Sequence, residues 1–247
     1  MAKVLLIVEG AKTDVRLMKH LLKIYGISDE HNIVSYKANI HSLFQKMFRN
    51  MDPEEVDLLQ LLKEHESDED KKEIFDEKYS DILLIFDLDP QDAQFSPDNI
   101  REMMGFFNES SDRGKLYINY PMIESYYHMK SIPDSEYNSY TASMQELANH
   151  QYKKRVQEET RNNDYRKFAV NREECNIVIR QNYEKAMNIC EKYADVIAPF
   201  EYDKELLEKQ FCKMNEEEKI YVICTCIFYI LDYDSKLIRS NNHKGEL

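Results

Sequence analysis

The chain is poor in basic charge: 33 Lys and Arg stand against 46 Asp and Glu, a formal net charge of −13 over 247 residues. Affinity for phosphate backbones is built from Lys and Arg, so this balance argues against a protein that coats nucleic acid nonspecifically. It does not exclude a nuclease, in which a bound cation or a partner subunit supplies positive charge locally. Glycine is scarce, with five residues in all, while charged side chains make up 32%. That composition favours helices over an all-β fold. The five cysteines, Cys175, Cys190, Cys212, Cys224 and Cys226, contain no Cys-x-x-Cys pair, so zinc-site spacing is absent. Their odd number and the lack of a secretory signal point to a reducing cytoplasm. No membrane segment is expected, because the longest late apolar run, Ile220–Leu231, falls short of the roughly 20 residues that cross a bilayer. Internal repeats, low-complexity tracts and a Walker-type Gly-x-x-x-x-Gly-Lys are also missing.

What is present starts with a 43% hydrophobic content, enough to fill the core of one large domain or two smaller ones. Two apolar runs stand out. Lys3–Asp14, KVLLIVEGAKTD, stops at Glu9 and Gly10; Asp81–Asp89, DILLIFDLD, stops at Asp87 and Asp89. Unalternating Val, Ile and Leu is the pattern of a parallel strand buried on both faces. The acids then fall at C-terminal strand ends, where open α/β sheets bind ligands. Three carboxylates in one pocket need protons or a cation to offset their repulsion. Mg²⁺ (or Mn²⁺) suits such a site, since it takes oxygen ligands and uses only one or two protein carboxylates directly. On a continuous strand Asp87 and Asp89 point to the same side and reach one ion.

The order of apolar strand, Glu-Gly, helix, and later strand ending Asp-x-Asp resembles the TOPRIM domain of topoisomerases, primases, OLD-family nucleases and RloB-like proteins. The spelling Glu9-Gly10-Ala11-Lys12-Thr13-Asp14 is similar to the Glu-Gly-x-x-Thr-Glu of the RloB-like branch, with Asp14 for the last Glu. The resemblance covers about the first half of the chain. It implies a TOPRIM (Rossmann-like) α/β core, Glu9 as general acid/base or metal ligand, and Asp87 and Asp89 as Mg²⁺ ligands. It also implies an OLD-like nuclease working with a partner ATPase in phage defence. A further stretch, Pro121-Met122-Ile123-Glu124-Ser125-Tyr126-Tyr127-His128, resembles the Glu-Asn-Tyr-Leu-type segment of some OLD-like proteins, with Ser125 for Asn. That implies Glu124 as a further metal ligand.

Along the chain, Thr13 to Tyr25 reads as an amphipathic helix stopped by Gly26. The turn at Gly10 and the helix N-terminus offer N–H groups to a phosphate; Lys12 adds a cationic contact or is a solvated turn residue. Ile33–Tyr36 reads as a second strand, followed by helices over His41–Met51 and Pro53–His65. Between Asp52 and Lys78 twelve acids face four lysines, which marks an exposed acidic insertion within about residues 40–78: a docking face for a basic partner, or plain solvated surface. Asp92, in the loop Pro90–Pro97, is a third acidic ligand or a turn aspartate. A helix over Asp98–Phe107 and a strand over Lys115–Asn119 follow. Pro121 is expected to open another helix, with Glu124 and His128 sharing a face.

Beyond about Ser131 the pattern is helical, over Thr141–Arg155, Asn171–Tyr193, Asp203–Lys213 and Asn215–Asp232, with the run Ile220–Leu231 ambiguous. The expected division is therefore a TOPRIM-like α/β domain over 1–130 and a mostly helical domain over 131–247. From His150 to Lys185 nine Lys or Arg outnumber six acids. Lys153, Lys154, Arg155, Arg161, Arg166, Lys167, Arg172 and Arg180 lie there with Tyr152, Tyr165 and Phe168 between them. Cations guide phosphates and aromatic faces stack bases, so this is the candidate nucleic-acid surface; its alternative is a charged helical face laced with ion pairs. A topoisomerase would need a strand-passage domain and a primase a zinc module, and neither is present. The leading expectation is Mg²⁺-dependent cleavage of DNA or RNA. A metal- or nucleotide-binding TOPRIM sensor without turnover is one alternative. A haloacid-dehalogenase-like phosphatase is another, because Asp87-x-Asp89 also resembles that family's acid pair. That pair normally opens its domain with Thr or Val two residues on; here it arrives late and is followed by Pro90-Gln91.

Overall fold

Apolar runs that lack a polar face can only be buried, and both of them form central strands. The computed structural model describes residues 3–49, 52–111 and 113–238. These divide into two compact units, Met1–Ile123 and Glu124–Leu247.

The first unit alternates strands and helices. Strand β1, Val4–Val8, is buried along its whole length and leads to helix α1, Thr13–Tyr25, which is closed by Gly26 in the left-handed conformation at φ 73°. Leu17, Met18, Leu21 and Leu22 form its buried stripe, at the 3–4-residue spacing of one helix face. Strand β2, His31–Ser35, then precedes α2, Ile40–Met47, whose N-terminus is capped by Asn39 Oδ1 accepting from Ser42 N–H at 2.9 Å. The helix expected over His41–Met51 thus starts one residue earlier and stops at Met47, and positions 50 and 51 lie outside the described residues. The helix expected from Pro53 instead breaks after a single 3₁₀ turn; Asp57 caps the shorter α3, Leu58–His65, by accepting from Gln60 N–H at 3.0 Å. A one-turn α4, Glu69–Lys72, and a 3₁₀ turn over Glu73–Asp76 close the acidic insertion.

Strand β3, Asp81–Asp87, carries the second apolar run, followed by α5, Pro97–Phe106, the two-residue β4, Asn108–Glu109, and β5, Gly114–Asn119. The sheet order is β2-β1-β3-β5-β4, with the first four strands parallel and β4 antiparallel at the edge. This is a mixed α/β fold with a mostly parallel central sheet. Successive connections leave β1 in opposite directions, toward β2 on one side and β3 on the other. The C-terminal edge between β1 and β3 is therefore the switch point where such sheets open a ligand crevice.

A 3₁₀ turn over Ile123–Tyr127 carries the chain from the first unit into the second. No α-helix opens at Pro121, whose bond to Tyr120 is cis. Because the turn is 3₁₀ and ends before His128, Glu124 and His128 do not share a helix face as expected. Strand β6, Thr141–Ser143, replaces the start of the helix expected over Thr141–Arg155; the remainder is α6, Met144–Ala148, and α7, Tyr152–Glu159. A short α8, Tyr165–Phe168, the long α9, Arg172–Ile189, and α10, Asp203–Glu217, follow. Helix α10 ends where Glu218 turns left-handed at φ 53°. Beyond it lie β7, Lys219–Tyr221, antiparallel to β6, and α11, Tyr229–Asp234. The helix expected over Asn215–Asp232 is thus a helix end, a strand and a new helix. Ile220 and Val222 through Leu231 are buried, and a run buried on every side carries no periodicity to reveal its backbone. No helix among the described residues is long and apolar enough to cross a membrane.

Candidate functional site

Strand register brings the predicted acids together. Val8 lies opposite Ile85 and Asp87 opposite Asn119, so Glu9, Asp87 and Asn119 stand at the ends of three neighbouring strands. Glu9 N–H donates to Ile85 O at 3.1 Å, which extends the ladder one residue past β1. The Glu9 side chain turns back across the strands, and its Oε2 accepts from Asp87 N–H at 3.1 Å.

Asp89 departs from the sequence expectation. The strand ends at Asp87, and Asp89 adopts a left-handed backbone at φ 44°. The alternation of an extended strand therefore does not set the direction of its side chain. The backbone bend does, with Asp89 N–H reaching Pro121 O at 3.4 Å.

Neutral side-chain amides donate to these carboxylates. Asn119 Nδ2 donates to Asp87 Oδ1 at 3.3 Å, Gln91 Nε2 to Asp89 Oδ1 at 3.0 Å, and Asn39 Nδ2 to Asp92 Oδ2 at 2.8 Å. An amide orients a carboxylate without cancelling its charge. The effect shows on Glu9, whose carboxyl is pushed up to about 8, first by burial and then by the negative charges of Asp89, Asp14 and Asp92; the hydrogen bond from Asp87 N–H opposes the rise. A buried carboxyl displaced this far at a switch point is a functional-site marker.

Asp14, a motif letter in the sequence, joins these acids. It is buried in the first turn of α1, where negative charge favours the helix dipole. Its carboxylate fills the space over Gly10: a Cβ there would stand 3.0 Å from Asp14 Cγ and closer still to Oδ2. A side chain at position 10 would force the Asp14 carboxylate to shift, and the place expected to cradle a phosphate holds the chain's own carboxylate. Lys12 is exposed at the same helix end. Among the described residues no three His, Cys, Asp or Glu side chains converge closely enough to chelate an ion as they stand. A magnesium site does not require three, since water and substrate phosphate complete the shell.

The remaining candidates belong to the second unit. Glu124 is buried, and its Oε1 lies 2.6 Å from Lys153 Nζ. His128 is buried between Tyr152 Oη and Glu159 Oε2, each 3.1 Å from a ring nitrogen. An ionised carboxylate only accepts, so Nε2–H donates to Glu159 and Nδ1 accepts from the Tyr152 hydroxyl.

Of the three aromatics on the expected nucleic-acid surface, Tyr152 and Phe168 are 1% and 0% exposed, while Tyr165 is half-buried. The first two are the core faces of α7 and α8. Several cations there are engaged inside the unit. Arg155 Nε stands 2.8 Å from Glu146 Oε1, without hydrogen-bond alignment, while its other end donates to Thr141 O at 2.8 Å. Arg166 forks onto Asp164 at 3.0 and 2.9 Å. Arg161 pairs with Glu174 at 2.7 Å, and Arg172 and Arg180 donate to the carbonyls of Leu237 and Ile238 at 3.0 Å each. Lys185 is buried and donates to Tyr137 O and Tyr140 O. Lys154 and Lys167 are exposed, with Lys154 3.8 Å from Glu158. The ion-paired helical face, the alternative reading of this stretch, describes most of it.

Compared with known proteins, the chain matches no family model, no curated protein and no solved structure.

Proposed function

We propose that the chain is a divalent-cation-dependent nuclease with a TOPRIM-like core, hydrolysing phosphodiester bonds of nucleic acid at Glu9, Asp87 and Asp89. The observation that carries this reading is the meeting of Glu9 and Asp87, 78 residues apart, through a 3.1 Å hydrogen bond at the sheet's switch point. The donor set fits a hard cation. It is all oxygen, rich in negative charge, and held in place by neutral amides. Bound Mg²⁺ or Mn²⁺ would stabilise the attacking and leaving oxygens of an in-line displacement.

The protein's part in the reaction is to hold and to move protons. Asp87 and Asp89 would take the cation, with Asp92 beside them. Glu9 Oε2 is occupied by Asp87 N–H, which leaves Oε1 to carry the proton that burial and neighbouring carboxylates keep on it. From Oε1 that proton can be given to a leaving oxygen, and the carboxylate left behind can take one from water. Glu124, tied to Lys153 in the second unit, supports that unit's structure in this account and is not assigned as a metal ligand. Contact with the nucleic acid would run through phosphate, with Lys12, Lys154 and Lys167 as exposed cations. Control by ATP would come from the partner ATPase that the resemblance implies.

The test is a cleavage assay on plasmid, single-stranded DNA and total tRNA with Mg²⁺ or Mn²⁺, comparing wild type with Asp87→Ala/Asp89→Ala of verified fold. Metal-dependent cutting that disappears in the variant is the expected result. Wild-type protein that binds nucleic acid without cutting under either ion would replace the nuclease with a sensor, and cutting that survives in the variant would remove the site.

A further inference from the structure

We propose that Asn39 and His41, on the first turn of α2, are positioning residues that hold the Asp89–Asp92 loop in its cation-binding form. This rests on the reading of the acidic pocket given above. The loop needs holding because Asp89 is left-handed at φ 44°, a strained conformation for a non-glycine residue that persists only where its surroundings over-determine it. Inside the loop, Asp92 N–H donates to Asp89 O at 3.0 Å and Phe95 N–H to Asp92 O at 3.1 Å. Asp89 N–H also reaches Pro121 O at 3.4 Å, and two further ties come from α2.

Asn39 uses both ends of its amide. Its Oδ1 caps α2 through Ser42 N–H at 2.9 Å while its Nδ2 donates to Asp92 Oδ2 at 2.8 Å. Ser or Asp would cap the helix as well, but Ser is too short to serve both partners and Asp has no proton to donate. Only the amide ties the helix start to the loop. His41 supplies the second tie. It is 1% exposed, and its Nε2 stands 3.2 Å from Leu88 O and 3.3 Å from Asp89 O. Carbonyl oxygens only accept, so the proton is on Nε2 and is shared between the two carbonyls that flank the bend. The ring also packs edge-on against Phe95 at 5.8 Å between centroids. Its Nδ1 is buried with no hydrogen-bond partner among the described residues, a cost that Phe or Leu at this position would avoid. Packing alone therefore does not account for a histidine here; the donor aimed at the loop backbone does.

The experiment compares wild type, Asn39→Ser, His41→Phe and His41→Gln by two readouts. One is hydrogen exchange of residues 88–96 without cation. The other is the Mn²⁺ dissociation constant from the signal of free Mn²⁺ in electron paramagnetic resonance. Asn39→Ser keeps the helix cap, so its melting temperature should stay near that of wild type while exchange rises within 88–96 and Mn²⁺ affinity falls about tenfold or more, the usual effect of losing a partner that orients a ligand. His41→Phe should show the same pattern, and His41→Gln, which restores a donor near the Nε2 position, should recover part of it. Unchanged exchange and Mn²⁺ constants within twofold of a binding wild type would overturn the positioning role alone. Wild-type protein that takes up no Mn²⁺ would overturn the pocket reading and the cation-binding role with it.

Discussion

Among the groups through which acidification should weaken the second unit, His128 is the buried one whose share can be isolated. Burial holds its imidazole down to about 4, from an ordinary 6.5; the Glu159 carboxylate opposes that shift, and the positive charges of Arg155 and Lys185 add to it. The hydrogen bonds agree. Nδ1 accepts from the Tyr152 hydroxyl, and a proton there would displace that donor. The native state thus keeps His128 neutral between pH 4 and 6.5, while the unfolded chain binds a proton. Because the unfolded state binds more protons in this window, stability falls as pH falls through it. Above pH 6.5 both states are neutral and the term is constant; below about 4 both are charged and no further loss accrues. The span from 6.5 to about 4 corresponds to roughly 3 kcal/mol at about 1.4 kcal/mol per pKa unit. Side-chain exposure of 1% means that little solvent screening reduces it. The assay is urea unfolding of wild type and His128→Asn at pH 7, 5.5 and 4, with each protein's change taken against its own value at pH 7. Wild type should lose roughly 3 kcal/mol more than the variant across that range, and the His128 ring resonances should titrate near pH 4. Parallel losses in the two proteins, or a ring titrating at 6.5, would refute the buried-neutral assignment.

Glu9→Gln removes the opposite linkage. The raised carboxyl destabilises the folded state progressively from its ordinary range up to about pH 8, so the variant should gain on wild type between pH 5 and 8.5 by on the order of 2 kcal/mol, a figure discounted for partial solvent access. Thermal melts at the two pH values check this, and a gain that does not grow with pH contradicts it. Gly10→Ala places a methyl against the Asp14 carboxylate and should cost about 1–2 kcal/mol while weakening Mn²⁺ binding; an unchanged melt and Kd would show that Asp14 moves aside freely. Gly114→Ala forces a side chain into φ 107° and to within 2.6 Å of Leu84 Cδ1, and should cost about 1–3 kcal/mol in chemical unfolding.

Much of the first unit was legible because its signals are physically redundant. Val4–Val8 and the run from Asp81 are strands buried on both faces, and Thr13–Tyr25 combines an apolar stripe with a glycine stop. The convergence of Glu9 and Asp87 followed from their positions at strand ends. The bend at Asp89 was illegible, since nothing in Asp-Leu-Asp-Pro marks a left-handed aspartate. The amide donors Asn119 and Gln91 were likewise hidden, because register and loop path decide which carboxylate each one meets. Asn39 was readable as a cap ahead of Ile40, Leu43 and Phe44, but its second bond to Asp92 was not. In the second unit, the three-residue strands β6 and β7 are too short to show alternation. Tyr152 and Phe168 leave two readings open in sequence, because aromatics spaced among Lys and Arg suit a stacking surface and are also what a helix presents to its own core.

The central claim is that the acids at the ends of β1 and β3 form one divalent-cation site. Paramagnetic broadening of backbone amide resonances by substoichiometric Mn²⁺ tests it most directly, because it maps where the ion resides before any catalysis is asked of it. The account predicts that Glu9, Gly10 and the amides from Asp87 to Asp92, Pro90 aside, broaden first, and that Asp87→Asn/Asp89→Asn abolishes the effect. Broadening centred on the acidic stretch 52–78, or spread evenly over the surface and unchanged in the variant, would contradict it.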